Sequence, residues 1–432
     1  MVKCVNLGAT VGNASSDTGV SDGKPSASEG RLHMFSDAPR QRRTLHLLVL
    51  CAPVTLGTDA VPGYRTARWL VRGIGAELAV NLGGRGGPSW RRTLRSDGPR
   101  APALGEGALA IVTGATSGIG SEVAAGIASI GYHVVIGARD RRKGKKLEAE
   151  LRAAGWEATF IELHMELPTS VAAFKSALPR GRHCALLVNN AGVMGVSDAE
   201  TLSVNLVGPA ILTTSLLPML HAAHQRADGR QSPRVVNVGS SSHLRASHVD
   251  PRLATSTSRD ANLAAYAASK LGLMQLSMLI RSASPWLEVV DAHPGIVWTP
   301  MLQRHLGAIA PVVHKVGLSR LLFKTPAAGA ATILAAAVSP RSPPRHWGER
   351  SRWARGWRCG QPYFVNRRPS GFASAESRDL AAAACVWREL IEPIAKRVLP
   401  EAEVGAVSCC CRDSTPQLHG GGIAPARHSV GD

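Results

Sequence analysis

The chain has 432 residues, enough for one large α/β domain with appendages or for two domains. An apolar fraction of 44 % suits a globular core, while 4 % aromatic is low. The formal charge of +19 divides as +6 over residues 1–106, +8 over 107–338 and +5 over 339–432. Spread so evenly, with no zinc-finger spacing, aromatic RNA-binding signature or heptad repeat, it argues against nucleic-acid binding.

Residues 1–105 are rich in Ser, Gly and Arg and carry few periodic runs. The stretch "LHLLVLCAPVTLG" at 45–57 follows "RQRR" like a signal h-region, yet it lies too deep in the chain for a standard signal peptide. A disordered or targeting leader is expected, with the compartment left open between cytoplasm and an organelle. No run reaches 18 apolar residues, so no transmembrane span is expected.

From Ala108 the texture changes. "ALAIVTGATSGIGSEVAAGIASIGYHVVIGARD" reads as strand, Gly-rich turn, helix and second strand, a βαβ unit. Strand-like runs follow at 158–165, 185–190, 234–240 and 287–295, separated by helical patterns that include 200–223 and 263–284. Continuous rather than alternating apolar strands predict a mainly parallel sheet covered on both faces. The fold class expected is α/β: a single doubly wound Rossmann-type domain, flanked by largely disordered extensions. It runs over 106–338, is broken by a Pro/Arg/Trp-rich inserted loop at 339–360, and resumes over 361–400 before a disordered tail at 401–432. Of the eight cysteines, Cys409, Cys410 and Cys411 are adjacent and no CxxC pair occurs, so neither a disulfide framework nor a metal site is read.

In "TGATSGIG", Gly114, Gly118 and Gly120 lie between strand and helix, where glycine lets backbone approach a pyrophosphate held at a helix N-terminus. The second strand ends at Gly137, Ala138 and Arg139, where an NAD site places a carboxylate for the ribose hydroxyl. Arg139 suits a 2′-phosphate instead. The alternative is a solvated basic loop, because Arg141, Arg142, Lys143, Lys145 and Lys146 follow.

"TGATSGIG", "NNAG" (189–192), "VNVGS" (236–240), "YAASK" (266–270) and "HPG" (293–295) occur in order, each beside a predicted element. Over roughly 107–398 the chain resembles a short-chain dehydrogenase/reductase, most of all the retinol-dehydrogenase-like and WW-domain-oxidoreductase-like branch. "FKTPAAG" (323–329) and the stretch 362–387 share that resemblance. It implies Tyr266 as acid/base, Lys270 as its partner, Ser240 as hydrogen-bond donor to the substrate oxygen, and Asn205 as holder of a water behind the lysine. Thr116, Ser117 and Ile119 complete the Gly-rich turn. Asn190, Ala191 and Gly192 would floor the adenosine side, and Pro294, Gly295 and Thr299 would meet the nicotinamide. The activity implied is NADP-dependent interconversion of an apolar alcohol (retinoid, steroid or lipid) with its aldehyde or ketone, NADP(H) being preferred over NAD(H). The helices carrying Asn205 and Tyr266 are the family's usual homodimer face. Tyr266 and Lys270, four apart on a helix, share one face, so the ammonium is expected to favour phenolate.

Three departures stand out. Glu166 replaces the family's aspartate toward the adenine amino group. The segment from Gly192 to Asn205 is short, which puts the register of Asn205 in question. The insert at 339–360 lies on the substrate side. A catalytically impaired Rossmann module that binds nucleotide or a protein partner is the alternative reading.

Overall fold

The computed structural model describes residues 108–226, 232–259, 263–317, 319, 322–339, 363–370 and 373–412. The leader, the tail beyond residue 412 and nearly all of the insert lie outside the described residues.

Among the described residues, eight strands form one sheet: β1 (Leu109–Thr113), β2 (His133–Ala138), β3 (Ala158–Glu162), β4 (Cys184–Asn189), β5 (Arg234–Val238), β6 (Glu288–His293), β7 (Tyr363–Val365) and β8 (Arg368–Ser370). Their order is 3-2-1-4-5-6-7-8. Every neighbouring pair is parallel except the β7–β8 hairpin. β1 and β4 are fully buried along their length, the reason these runs read as continuous apolar sequence.

The helices are α1 (Gly118–Ser129), α2 (Arg141–Ala153), α3 (Pro168–Ser176), α4 (Asp198–Arg226), α5 (Ala264–Ala283), α6 (Pro300–Leu306), α7 (Ile309–Lys315), α8 (Pro326–Val338), α9 (from Leu380, through a π turn, to Ala395) and α10 (Glu401–Arg412). One face of the sheet buries Val123 and Ile127 of α1, Leu147 and Leu151 of α2 and Ile333 of α8. The other buries apolar residues of α3, α4, α5, α9 and α10, with Trp387 wholly enclosed. The doubly wound fold expected from the sequence is the fold observed.

By length and composition α4 could cross a membrane, but 78 % of its most apolar window is buried inside the protein, where it serves as a core helix. The expected disordered tail at 401–432 is corrected over its first twelve positions. Residues Glu401–Arg412 form α10, with Val404 and Val407 buried, Glu403 paired with Lys175, and Ser408 Oγ bonded to Trp387 Nε1 at 3.0 Å. Burial of that valine pair against α4 and α5 orders the segment.

Candidate active site

β1 is flanked by β2 and β4, so strand order reverses there and the loops at the strands' C-terminal ends part to leave a crevice. A cleft of about 530 Å³ opens at that point. Every candidate residue named from the sequence except Asn205 lines it.

The Gly-rich turn fits a close backbone approach. Gly114 and Gly118 take φ of +64° and +57°, the left-handed region that suits glycine. A Cβ on Gly120 would lie 2.4 Å from the Gly114 carbonyl oxygen, and one on Gly114 would lie 2.8 Å from Ala191 Cα. The turn is braced from beneath. Thr113 Oγ1 accepts the Asn190 and Ala191 amides, each at 3.0 Å, and Asn190 Nδ2 donates to Thr113 O at 2.8 Å. The exposed Arg139 and Lys143 line the cleft beyond β2. Asp140 does not stand free between them: it caps α2 at the Lys143 amide (3.0 Å) and pairs with Lys143 Nζ (3.0 Å). Glu166 reaches the cleft edge and meets His164 at 3.3 Å. The His164 pKa is raised, chiefly by its bond to Glu162 and secondarily by Glu166.

At the far end, α5 presents Tyr266 and, one turn on, Lys270. The helix is fixed to the sheet by a buried polar chain. Asn189 Nδ2 donates to Asn237 Oδ1 (2.8 Å), Asn237 Nδ2 to Ser277 Oγ (2.8 Å), and Ser277 Oγ to Asp291 Oδ1 (2.6 Å). Ser240, just past β5, lines the same cleft as Tyr266 and opposes the rise in the phenol's pKa. Lys270 Nζ donates to Val238 O at 2.9 Å and stands 5.8 Å from the centre of the Tyr266 ring. Burial pushes the Lys270 pKa down to about 8. The Tyr266 pKa is raised by burial, against the opposing bond from Ser240. The expected shift toward phenolate is therefore reversed in the chain alone: desolvation outweighs the lowering by Ser240, and Tyr266 holds its proton at neutral pH.

Asn205 lies outside the cleft wall but directly behind it. It sits in a π turn of α4 (Ser203–Val207) and is wholly buried. Its Oδ1 accepts the Val193 amide at 2.8 Å, while Nδ2 donates to Val193 O (3.0 Å) and Ser269 Oγ (3.1 Å). A Cβ on Gly192 would lie 3.3 Å from Asn205 Oδ1 and 3.7 Å from Lys270 Nζ, so the short connection keeps Asn205 close behind the lysine. The side chain is occupied by protein partners. Through these bonds Asn205 clamps the strand exit.

Sequence reasoning missed Lys324. It is 4 % exposed, and Nζ donates to Asn366 Oδ1 at 2.7 Å and to Pro294 O at 3.3 Å, pinning the turn that carries Gly295. A lysine inside "FKTPAAG" reads as a surface cation, and its partner comes from a hairpin 42 residues away.

Among known proteins, the short chain dehydrogenase family model matches residues 108–307. Mouse polyprenol dehydrogenase is 38 % identical over 265 residues, which cover 58 % of this chain and 77 % of that protein. The chain belongs to the short-chain dehydrogenase family. Bovine dehydrogenase/reductase SDR family member 13 is 32 % identical over 54 % of this chain and 62 % of that protein, and mouse retinol dehydrogenase 14 is 28 % identical over 62 % and 86 %. This short-chain dehydrogenase is thus an NAD(P)-dependent oxidoreductase acting on CH–OH groups, of the retinol-dehydrogenase-like branch. Its glycine turn, with no room for a Cβ on Gly120, suits the pyrophosphate of a nicotinamide dinucleotide.

Proposed function

We propose that this dehydrogenase reduces apolar aldehydes or ketones with NADPH, or oxidises the matching alcohols with NADP, through Tyr266, Ser240 and Lys270. The observation that carries the reading is the convergence of these three side chains on the wall of one cleft, with Lys270 Nζ 5.8 Å from the centre of the Tyr266 ring. When bound, the dinucleotide supplies or accepts the hydride. Gly114, Gly118 and Gly120 would lie along its pyrophosphate. Arg139, aided by Lys143, would meet a 2′-phosphate, and Glu166 the adenine side. Pro294, Gly295 and Thr299 would border the nicotinamide.

The protein's share of the chemistry is proton handling and orientation. Ser240 donates a hydrogen bond to the substrate oxygen as charge grows on it. Tyr266, protonated at rest, delivers its proton to that oxygen in the reducing direction. Lys270 stabilises the phenolate left behind and would hold the cofactor's ribose. Asn205 holds Val193 against the floor of the site, so that Gly192 packs beside Lys270.

The substrate class follows from two supports. Met194, Ile296, Met301 and Leu302 add apolar lining to the cleft that Ser240 and Tyr266 also line. Relatives carry the names polyprenol dehydrogenase and retinol dehydrogenase 14, both denoting long isoprenoid alcohols. The test is NADPH oxidation by the purified protein against farnesal, retinal and short polar aldehydes. Turnover favouring the isoprenoid aldehydes supports the reading; turnover confined to polar aldehydes overturns the substrate class.

A further inference from the structure

His243 lies three residues beyond Ser240, in the 3-10 turn Ser241–Arg245, and is wholly buried. Its two ring nitrogens face different parts of the chain. Nδ1 is 2.6 Å from the backbone oxygen of Ser240, and Nε2 accepts the backbone amide of Ser374 at 3.3 Å. A carbonyl can only accept and an amide N–H can only donate, so the ring is neutral, with its proton on Nδ1. Burial pushes its pKa down to about 4, which keeps that form across the neutral range. The Tyr363 ring stands edge-on to it, 5.5 Å between centres, and also covers Gly239, where a Cβ would lie 3.6 Å from Tyr363 Cε2.

The Ser374 side of this bridge leads back to the helix of Tyr266. Ser374 opens a turn held by Ser377, whose amide bonds Ser374 Oγ (3.1 Å) and whose hydroxyl bonds Ser374 O (2.7 Å). Within that turn, Glu376 O accepts Gln275 Nε2 of α5 at 3.0 Å. A continuous path thus runs from Ser240 through His243, Ser374 and Glu376 to α5. His243 itself does not line the cleft.

We infer that His243 is a positioning residue which sets the spacing between the Ser240 and Tyr266 hydroxyls by bridging the serine loop to the C-terminal turn anchored on α5. The inference rests on the proposed roles of Ser240 and Tyr266. A ring that donates to the Ser240 carbonyl fixes that residue's backbone, and a displacement of even a fraction of an ångström at a proton-transfer pair lowers turnover.

Two substitutions separate the two bonds. His243→Asn places an amide nitrogen where Nδ1 stands, keeping the bond to Ser240 and losing the one to Ser374. His243→Gln reaches the position of Nε2 and keeps the opposite bond. Each variant cuts the bridge at one end, so with NADPH and farnesal as probes both His243→Gln and His243→Asn should lower kcat roughly tenfold at nearly unchanged NADPH affinity. In a Ser240→Ala background, His243→Gln should add little further loss, because the histidine acts through that serine. Near-parental kcat in either the Asn or the Gln variant, or full additivity with a damaging Ser240→Ala, would overturn the inference alone. If Ser240→Ala left turnover unchanged, the reading of the site itself would fail. Ring-nitrogen NMR of the unmodified full chain gives an activity-free readout: His243 should show a protonated Nδ1 and a bare Nε2 at neutral pH. The opposite tautomer would contradict the bridge.

Discussion

The carboxamide of Asn205 engages both backbone groups of Val193, accepting its amide at 2.8 Å and donating to its carbonyl at 3.0 Å. A side chain thereby stands in for a strand partner at the point where β4 leaves the sheet and the chain turns toward Lys270. Because Asn205 is wholly buried, Asn205→Ala would leave both groups of Val193 without that partner. A stability loss of about 2–4 kcal/mol is expected, read as a lower urea midpoint. Activity per folded molecule should fall as well, since Gly192 beside Lys270 loses its support. An unchanged urea midpoint would show that Asn205 is not a clamp.

The glycine turn gives a second test. A methyl on residue 120 would meet the Gly114 carbonyl at 2.4 Å and Asn190 Nδ2 at 2.5 Å. Relief requires moving backbone that faces the cleft, so Gly120→Ala should weaken NADPH binding by at least about tenfold in a fluorescence titration. Gly405→Ala on α10, where a Cβ meets nothing within 4 Å, should leave NADPH affinity untouched. Equal affinities in the two variants would remove the turn from the cofactor site.

Most of the fold was legible in the sequence because its signals are local. Five buried strands of five or six residues announce themselves as apolar runs, and Tyr266 with Lys270 announces a shared helix face. What escaped depends on distant backbone. The partner of Asn205 is the main chain of Val193, to which a sequence pattern is blind. Helix α10 carries glycine and three consecutive cysteines, and only the buried pair Val404 and Val407 marks its inner face. Lys324 finds Asn366 in a turn where Asn366 and Arg367 both take positive φ. His243 is a ring whose partners are a carbonyl and an amide, neither of which leaves a trace in residue type.

Cofactor preference follows from the end of β2. Asp140 is engaged with Lys143 and the α2 N-terminus, so its carboxylate is partly neutralised, while Arg139 faces the cleft. NADPH is expected to bind roughly ten- to a hundredfold more tightly than NADH, as one charge-assisted bond of about 1.5–3 kcal/mol provides. Arg139→Asp should reverse that order. Position 138 is a poor place for a new carboxylate, since Ala138 is 5 % exposed among core side chains. NADH binding equal to or tighter than NADPH in the parent protein would contradict the assignment.

Lys270 should leave a mark on the pH dependence of stability. Its folded pKa of about 8 lies below the ordinary lysine value of 10.5. Between these two values the unfolded chain holds more protons than the folded one, so stability contributed at this position rises with pH over that window. The cost of burying the ammonium is fully present below about pH 8 and is relieved by about pH 10.5. Relative to Lys270→Met, the parent protein should gain stability on the order of 3 kcal/mol across the window, followed by denaturant unfolding at stepped pH. A difference that stays flat would place the lysine in water.

The central claim is that Tyr266 passes the proton to the substrate oxygen. Tyr266→Phe keeps the ring and removes the hydroxyl, so the most direct measurement is the rate of NADPH oxidation with farnesal, parent against variant, at matched folded fraction. The rate should fall by at least about a hundredfold while NADPH affinity stays within about twofold. Near-parental turnover in Tyr266→Phe would contradict the mechanism.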